Sequence, residues 1–103
     1  MFDYKTALNQ LTMSNNGINR LVIMIGAKDF MRSDEESFIS FKFPRSNSIN
    51  YCKLSLTADD LYTLELGYIH SMNYTVRKEL KGLFFDQLKG IFEDETKLYL
   101  SLT

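Results

Sequence analysis

The chain has 103 residues, 45% of them hydrophobic and 14% aromatic, with 12 lysines and arginines against 13 aspartates and glutamates. That length suits one domain, with about two-thirds of the unfolded surface buried on folding. The apolar supply and near-neutral charge exclude disorder and argue against a dedicated nucleic-acid binder, which carries a basic excess. One cysteine, Cys52, excludes an internal disulfide and any zinc pattern built on paired cysteines.

Phe2, Tyr4, Ala7, Leu8 and Leu11 recur at helical spacing, which predicts an amphipathic helix over 3–13 with Asp3 capping its first turn. "SNNG" ends it, with Gly17 supplying the left-handed geometry. The apolar run 21–25 has no polar face and reads as a central strand covered on both sides. It is also far too short to cross a membrane. "MRSDEES" (31–37) is polar and turn-like. "FISFKF" alternates Ile39, Phe41 and Phe43 against Ser40 and Lys42, a strand with one buried face that Pro44 ends. "RSNSIN" (45–50) connects it to a strand carrying Cys52, Leu54 and Leu56. A turn containing "ADD" leads to a strand carrying Tyr62, Leu64, Leu66 and Tyr68, the two forming a hairpin. "SMN" is another turn, and Tyr74, Val76 and Lys78 begin a fifth strand.

From residue 83 the period becomes helical: Phe84, Leu88, Ile91 and Phe92 share one face. Gly82 and Gly90 weaken that helix by about 1 kcal/mol each relative to Ala, so packing must hold it. "LYLSL" (98–102) predicts a last strand. The whole, residues 1–103, is a single α+β domain: an antiparallel sheet of about five to six strands with an N-terminal and a C-terminal helix packed on it.

Several clusters invite a chemical reading. Asp59 and Asp60 precede His70, the one histidine, on the same stretch. They lie at opposite ends of one strand, roughly 30 Å apart at about 3.3 Å per residue, too far to share a metal or a proton. Asp in a turn bonds its own backbone, which explains the pair without catalysis. Cys52 reads as a small core side chain, with a reactive thiol as the alternative. Glu93, Asp94 and Glu95 have carboxylates for a hard cation but lack the spacing and glycine of a calcium loop. They read as a solvated helix end, or as an acidic rim facing a basic partner. "FKFPR" interleaves rings and cations as single-strand binders do, although Phe41 and Phe43 point together into the core. Arg77, Lys78 and Lys81 form a second basic group. Tyrosines are numerous, which fits sheet packing or an interface. No phosphate loop or Ser-His-Asp motif occurs. No metal, cofactor or enzymatic chemistry is expected.

Three stretches together, "MIGAKDF" (24–30), "CKLSLTADDLYTLELGYIH" (52–70) and "GLFFDQLKGIFEDETKLYLSL" (82–102), resemble small accessory proteins of bacteriophages and other mobile elements. The resemblance covers about half the chain and transfers no functional residue. It implies a non-enzymatic protein that binds a host protein or complex, a class that includes inhibitors of host defence of the anti-CRISPR kind. "MFDYKTALNQ" lacks the basic-then-apolar order of a signal peptide, so the expected setting is the host cytoplasm. The expected partner surface is Glu93, Asp94 and Glu95. The alternative is a nucleic-acid-binding accessory protein using Lys42, Arg45, Arg77, Lys78 and Lys81.

Overall fold

A computed structural model describes residues 2–101. Helices α1 (Tyr4–Thr12) and α2 (Gly17–Ile25) precede strands β1 (Lys28–Ser33), β2 (Phe38–Ser46), β3 (Ile49–Leu56), β4 (Tyr62–His70) and β5 (Asn73–Leu83). A 3-10 turn at Phe85–Gln87 then leads into α3 (Leu88–Thr96). The strands form one antiparallel meander in the order β1-β2-β3-β4-β5. The α+β expectation stands, with five strands.

Strand alternation puts Ile39, Phe41, Cys52, Leu54, Leu64 and Leu66 on one sheet face, each almost wholly buried. Helix α3 seats on that face through Phe92. Its ring meets Phe43 edge-on at 5.8 Å and Phe41 at 6.3 Å. Helix α1 adds Leu8 and Leu11 to the same core, and the Tyr62 hydroxyl donates to Gln10 Oε1 at 2.6 Å to tie β4 to it. As predicted, Asp3 caps α1, accepting from the Thr6 N–H and hydroxyl. Those two bonds, the hydroxyl first, hold its carboxyl below the usual carboxylate range.

Several local expectations are overturned. Residues 21–25 are helical, not a central strand: Asn16 caps α2 by accepting from the Asn19 N–H, and Gly26 closes it in the left-handed region. Gly17 does not end α1; Met13 does, at φ 51°, and Gly17 opens α2. A Cβ on Gly17 would overlap the Leu8 backbone, so the glycine is what lets α2 cross α1 closely. Residues 28–33, partly read as a turn, form edge strand β1, whose Phe30 ring lies tilted against that of Phe41 at 5.6 Å. Strand β2 continues past Pro44, but its ladder with β3 loses register between Lys42 and Ser46, where the proline has no N–H to give. The 45–50 connection therefore shrinks to a two-residue turn, with Asn47 and Ser48 at φ 53° and 62°. That is the positive-φ pair of a type I′ hairpin.

At the other end, β5 runs on to Leu83 because Leu80 and Leu83 pair with Leu64 and Tyr62. Gly82 thus sits at a bulge with φ +68°, Phe84 is 60% exposed rather than buried, and α3 begins only at Leu88. Residues 98–101 form no strand; residue 102, the end of that predicted strand, lies outside the described residues. Instead Leu100 is buried, its N–H donating to Glu93 Oε2 at 2.8 Å and its carbonyl accepting from Arg20 Nη1 at 3.1 Å.

The glycines give opposite predictions for one substitution. Gly17→Ala must push the helices apart and is expected to cost about 1–3 kcal/mol. Gly90→Ala, with open space around its Cβ, is expected to stabilise α3 by about 0.5–1 kcal/mol. Leu64→Ala in the sheet core should cost about 2–5 kcal/mol. Urea unfolding of the three variants checks all of these signs.

Candidate functional site

The Asp59–Asp60 segment is a tight turn. Thr57 accepts and donates across it to Leu61, and the Asp60 N–H bonds the Thr57 carbonyl at 3.0 Å. His70 lies at the opposite end of β4, exposed, its ring parallel to that of Tyr68 at 6.0 Å. Among the described residues no three His, Cys, Asp or Glu side chains come together to hold a metal, and no helix is long and apolar enough to cross a membrane. Cys52 is fully buried. Burial, and then the charge of Glu65, push its thiol well above the ordinary range.

The acidic stretch divides by role. Glu93 is inside the fold: besides the Leu100 N–H it takes Lys89 Nζ at 3.4 Å, and its side chain is only 16% exposed. Asp94 is exposed. Glu95 contributes its carbonyl, which accepts from Asn47 Nδ2 at 2.6 Å. With Ser46 Oγ donating to the Thr96 carbonyl at 2.7 Å, the β2–β3 turn is fastened to the C-terminal end of α3.

The five basic candidates also separate. Lys42 faces Asp29 at 3.8 Å and Lys81 faces Glu79 at 3.9 Å. Lys78 is exposed opposite Leu66 on the β5 edge. Arg45 and Arg77, by contrast, converge. Their guanidinium carbons lie 5.9 and 5.5 Å from the centroid of one ring, that of Tyr68. Arg77 reaches it because a bulge makes it the unpaired residue between Val76 and Lys78. Its Nε donates to the Ser48 carbonyl at 3.3 Å. Neither arginine has a carboxylate within 4.0 Å among the described residues.

Tyr68, His70 and Ser48 are the residues that sequence reasoning missed here. Tyr68 and His70 are two apart on one strand and so share a face, a legible signal. The bulge that delivers Arg77 is not legible in that way.

Around the turn Asn47–Ser48 two opposite surfaces therefore meet. On one side is the acidic end of α3, held through Asn47. On the other are the two guanidiniums on Tyr68, of which that of Arg77 is held through Ser48.

The uncovered face of the sheet carries a different arrangement. Tyr74 lies over Gly67 so closely that a Cβ there would enter its ring. Its hydroxyl donates to Glu65 Oε2 at 2.6 Å, and its ring meets Tyr51 edge-on at 5.1 Å. Burial, followed by the bond to Glu65, pushes the Tyr74 phenol upward. Lys53 lies over Phe38 on the same face at 4.4 Å. A concavity of about 650 Å³ lies elsewhere, lined by Asn15, Asn16, Asn19, Arg20, Ile23 and other residues. Amides there offer hydrogen bonds but no proton-transfer group near neutral pH.

No protein-family model, curated protein or solved structure matches this chain.

Two predictions follow from these placements. Glu93→Ala leaves the Leu100 N–H without its acceptor and Lys89 without its ion pair and should cost about 1–3 kcal/mol, whereas Asp94→Lys should change stability by less than about 0.5 kcal/mol; thermal unfolding compares them. The Cys52 thiol should resist a disulfide reagent in the native protein and react fully once the chain is unfolded in urea.

Proposed function

We propose that this chain is a small accessory protein of a bacteriophage or other mobile element that acts in the host cytoplasm by binding a host protein. Inhibition of a host defence complex is the most specific form of this reading. The protein would work by occupying a surface, without chemistry of its own. The observation that carries the proposal is the mixed surface around the Asn47–Ser48 turn. There two arginines without carboxylate partners lie on Tyr68, Arg77 bonded to Ser48, while Asn47 on the same turn is bonded to the end of α3, which bears the exposed Asp94. Protein interfaces favour arginine and tyrosine at their centres and complementary charge at their rims.

The Arg45–Tyr68–Arg77 cluster also supports the second reading, a nucleic-acid-binding accessory protein, since cations and a ring lie together. Two observations weigh against it. Lys42 and Lys81 are already faced by acids, and of the other three candidates only Arg45 and Arg77 come together, too few for a track that follows phosphates.

The two readings separate in one experiment. Tagged wild type and an Arg45→Gln/Arg77→Gln/Asp94→Lys variant are used to capture host-lysate proteins, and both are titrated with DNA and RNA at several salt concentrations. The proposal expects a stoichiometric host protein that the variant fails to retain, with weak nucleic-acid binding. Tight nucleic-acid binding that falls steeply with salt, about 0.9 log units per log unit for each duplex phosphate contact, makes the second reading the correct one.

A further inference from the structure

Resting on the protein-binding reading, we infer that Arg45, Tyr68 and Arg77 form a seat for carboxylate side chains in an acidic segment of the partner protein. Both guanidiniums sit over one ring, so they cannot be farther apart than the sum of their two distances to its centroid. Cation–π contact with Tyr68 restrains each without neutralising it. Arg77 is restrained further: its Nε is committed to the Ser48 carbonyl. Its two terminal nitrogens have no hydrogen-bond partner among the described residues. They present the flat donor fork that matches a carboxylate in bidentate geometry. His70, parallel to Tyr68, adds a third nitrogen-bearing group at the margin.

The geometry favours carboxylates on a protein over a nucleic-acid strand. A strand needs a continuous basic track and open ring faces on which bases stack. Here the space within about 6 Å of the Tyr68 ring centroid already holds two guanidiniums and an imidazole, so the ring is a poor stacking platform. Two arginines next to an acidic helix end make a patch and not a track. A partner that places acids over Arg45 and Arg77 and a basic residue towards Asp94 meets both halves of the surface at once. Lys5, exposed on α1, and Lys53, over Phe38 on the uncovered sheet face, serve as controls for unspecific charge attraction.

The test uses nitrogen-labelled full-length protein titrated with three probes: a capped peptide of alternating glutamate and glycine, its glutamine counterpart, and oligothymidylate. The expected result is that the glutamate peptide shifts the Arg45 and Arg77 Nε–H signals and the Ser48 amide, while the glutamine peptide does not. Arg45→Gln/Arg77→Gln should bind the glutamate peptide about fivefold to tenfold more weakly, the scale of two exposed ion pairs. Lys5→Gln/Lys53→Gln should bind it unchanged. Arg45→Lys/Arg77→Lys, which keeps the charge and loses the fork, should fall between, and guards against a misfolded glutamine variant. Undiminished peptide binding by the glutamine variant, equal loss in the lysine controls, or tighter binding of oligothymidylate at the same signals overturns the inference. The two proposals fail separately: a host protein retained equally by wild type and Arg45→Gln/Arg77→Gln leaves protein binding standing and removes this seat for its acids.

Discussion

The contact between Phe92 and the Phe41–Phe43 pair is the one on which the arrangement of this chain depends. A five-stranded meander has two faces, and this one buries only the face on which those rings lie. Nine-residue helices such as α1 and α3 are marginal by themselves in water, so each exists because that face receives it. Once Phe92 is seated, Glu93 on the next position draws in Leu100 and Lys89, and Arg20 fixes the same tail from α2. The helical layer is thus joined at both ends of the chain. Buried threonines close two of its helices in the same way. Thr12 and Thr96 return their hydroxyls to the carbonyls of Leu8 and Phe92, and each precedes a left-handed residue, Met13 or Lys97. The polar groups at these helix ends are therefore satisfied inside the core.

Strands β2, β3 and β4 were legible because a half-buried strand must alternate, and Ile39 to Phe43, Cys52 to Leu56 and Tyr62 to Leu66 all do. Helix α2 was not. Val22, Ile23 and Ile25 have strand propensity, which is a weak prior that tertiary packing overrides. The opposing signal was local: an Asn16 cap, Gly17 where α1 approaches, and Gly26 after the last turn. Strand β1 was hidden because, as an edge, most of its residues face solvent and show no apolar alternation. Phe84 misled for the reverse reason, being an apolar residue at helical spacing that the longer β5 leaves outside the core. For the site, composition singled out Arg45 and Arg77, but bulge and turn geometry decided that they meet. The acidic triplet looked uniform in sequence, and only the fold of the tail separates Glu93 from its neighbours.

The edges of the sheet bear on how the protein meets other molecules. Strand β5 has eleven residues with one free side, which by itself is a template for another chain. Two bulges, at Arg77 and at Lys81–Gly82, break its register, and Arg77, Lys78, Glu79 and Lys81 give it charge. At the opposite edge, β1 carries a register shift of its own between Lys28 and Met31. These devices oppose strand addition at both edges. Any association would then run through side-chain surfaces in preference to exposed backbone. The bulge at Arg77 has two effects at once, since it interrupts the edge and turns that arginine onto Tyr68.

The two-residue turn Asn47–Ser48 has a consequence for the kinetics and entropy of association. It contains no glycine, yet both residues hold positive φ, and each is fastened to a different neighbour, one to α3 and one to β5. The angle between the acidic and basic halves of the surface is accordingly set before any encounter. Ordering loops and side chains is among the larger costs of protein association, and a hairpin tip already locked on both flanks leaves little of that ordering to be done. A partner docking at this turn would meet a backbone already in its final geometry. Its complex would then be governed by how slowly it lets go and not by how long it takes to adapt.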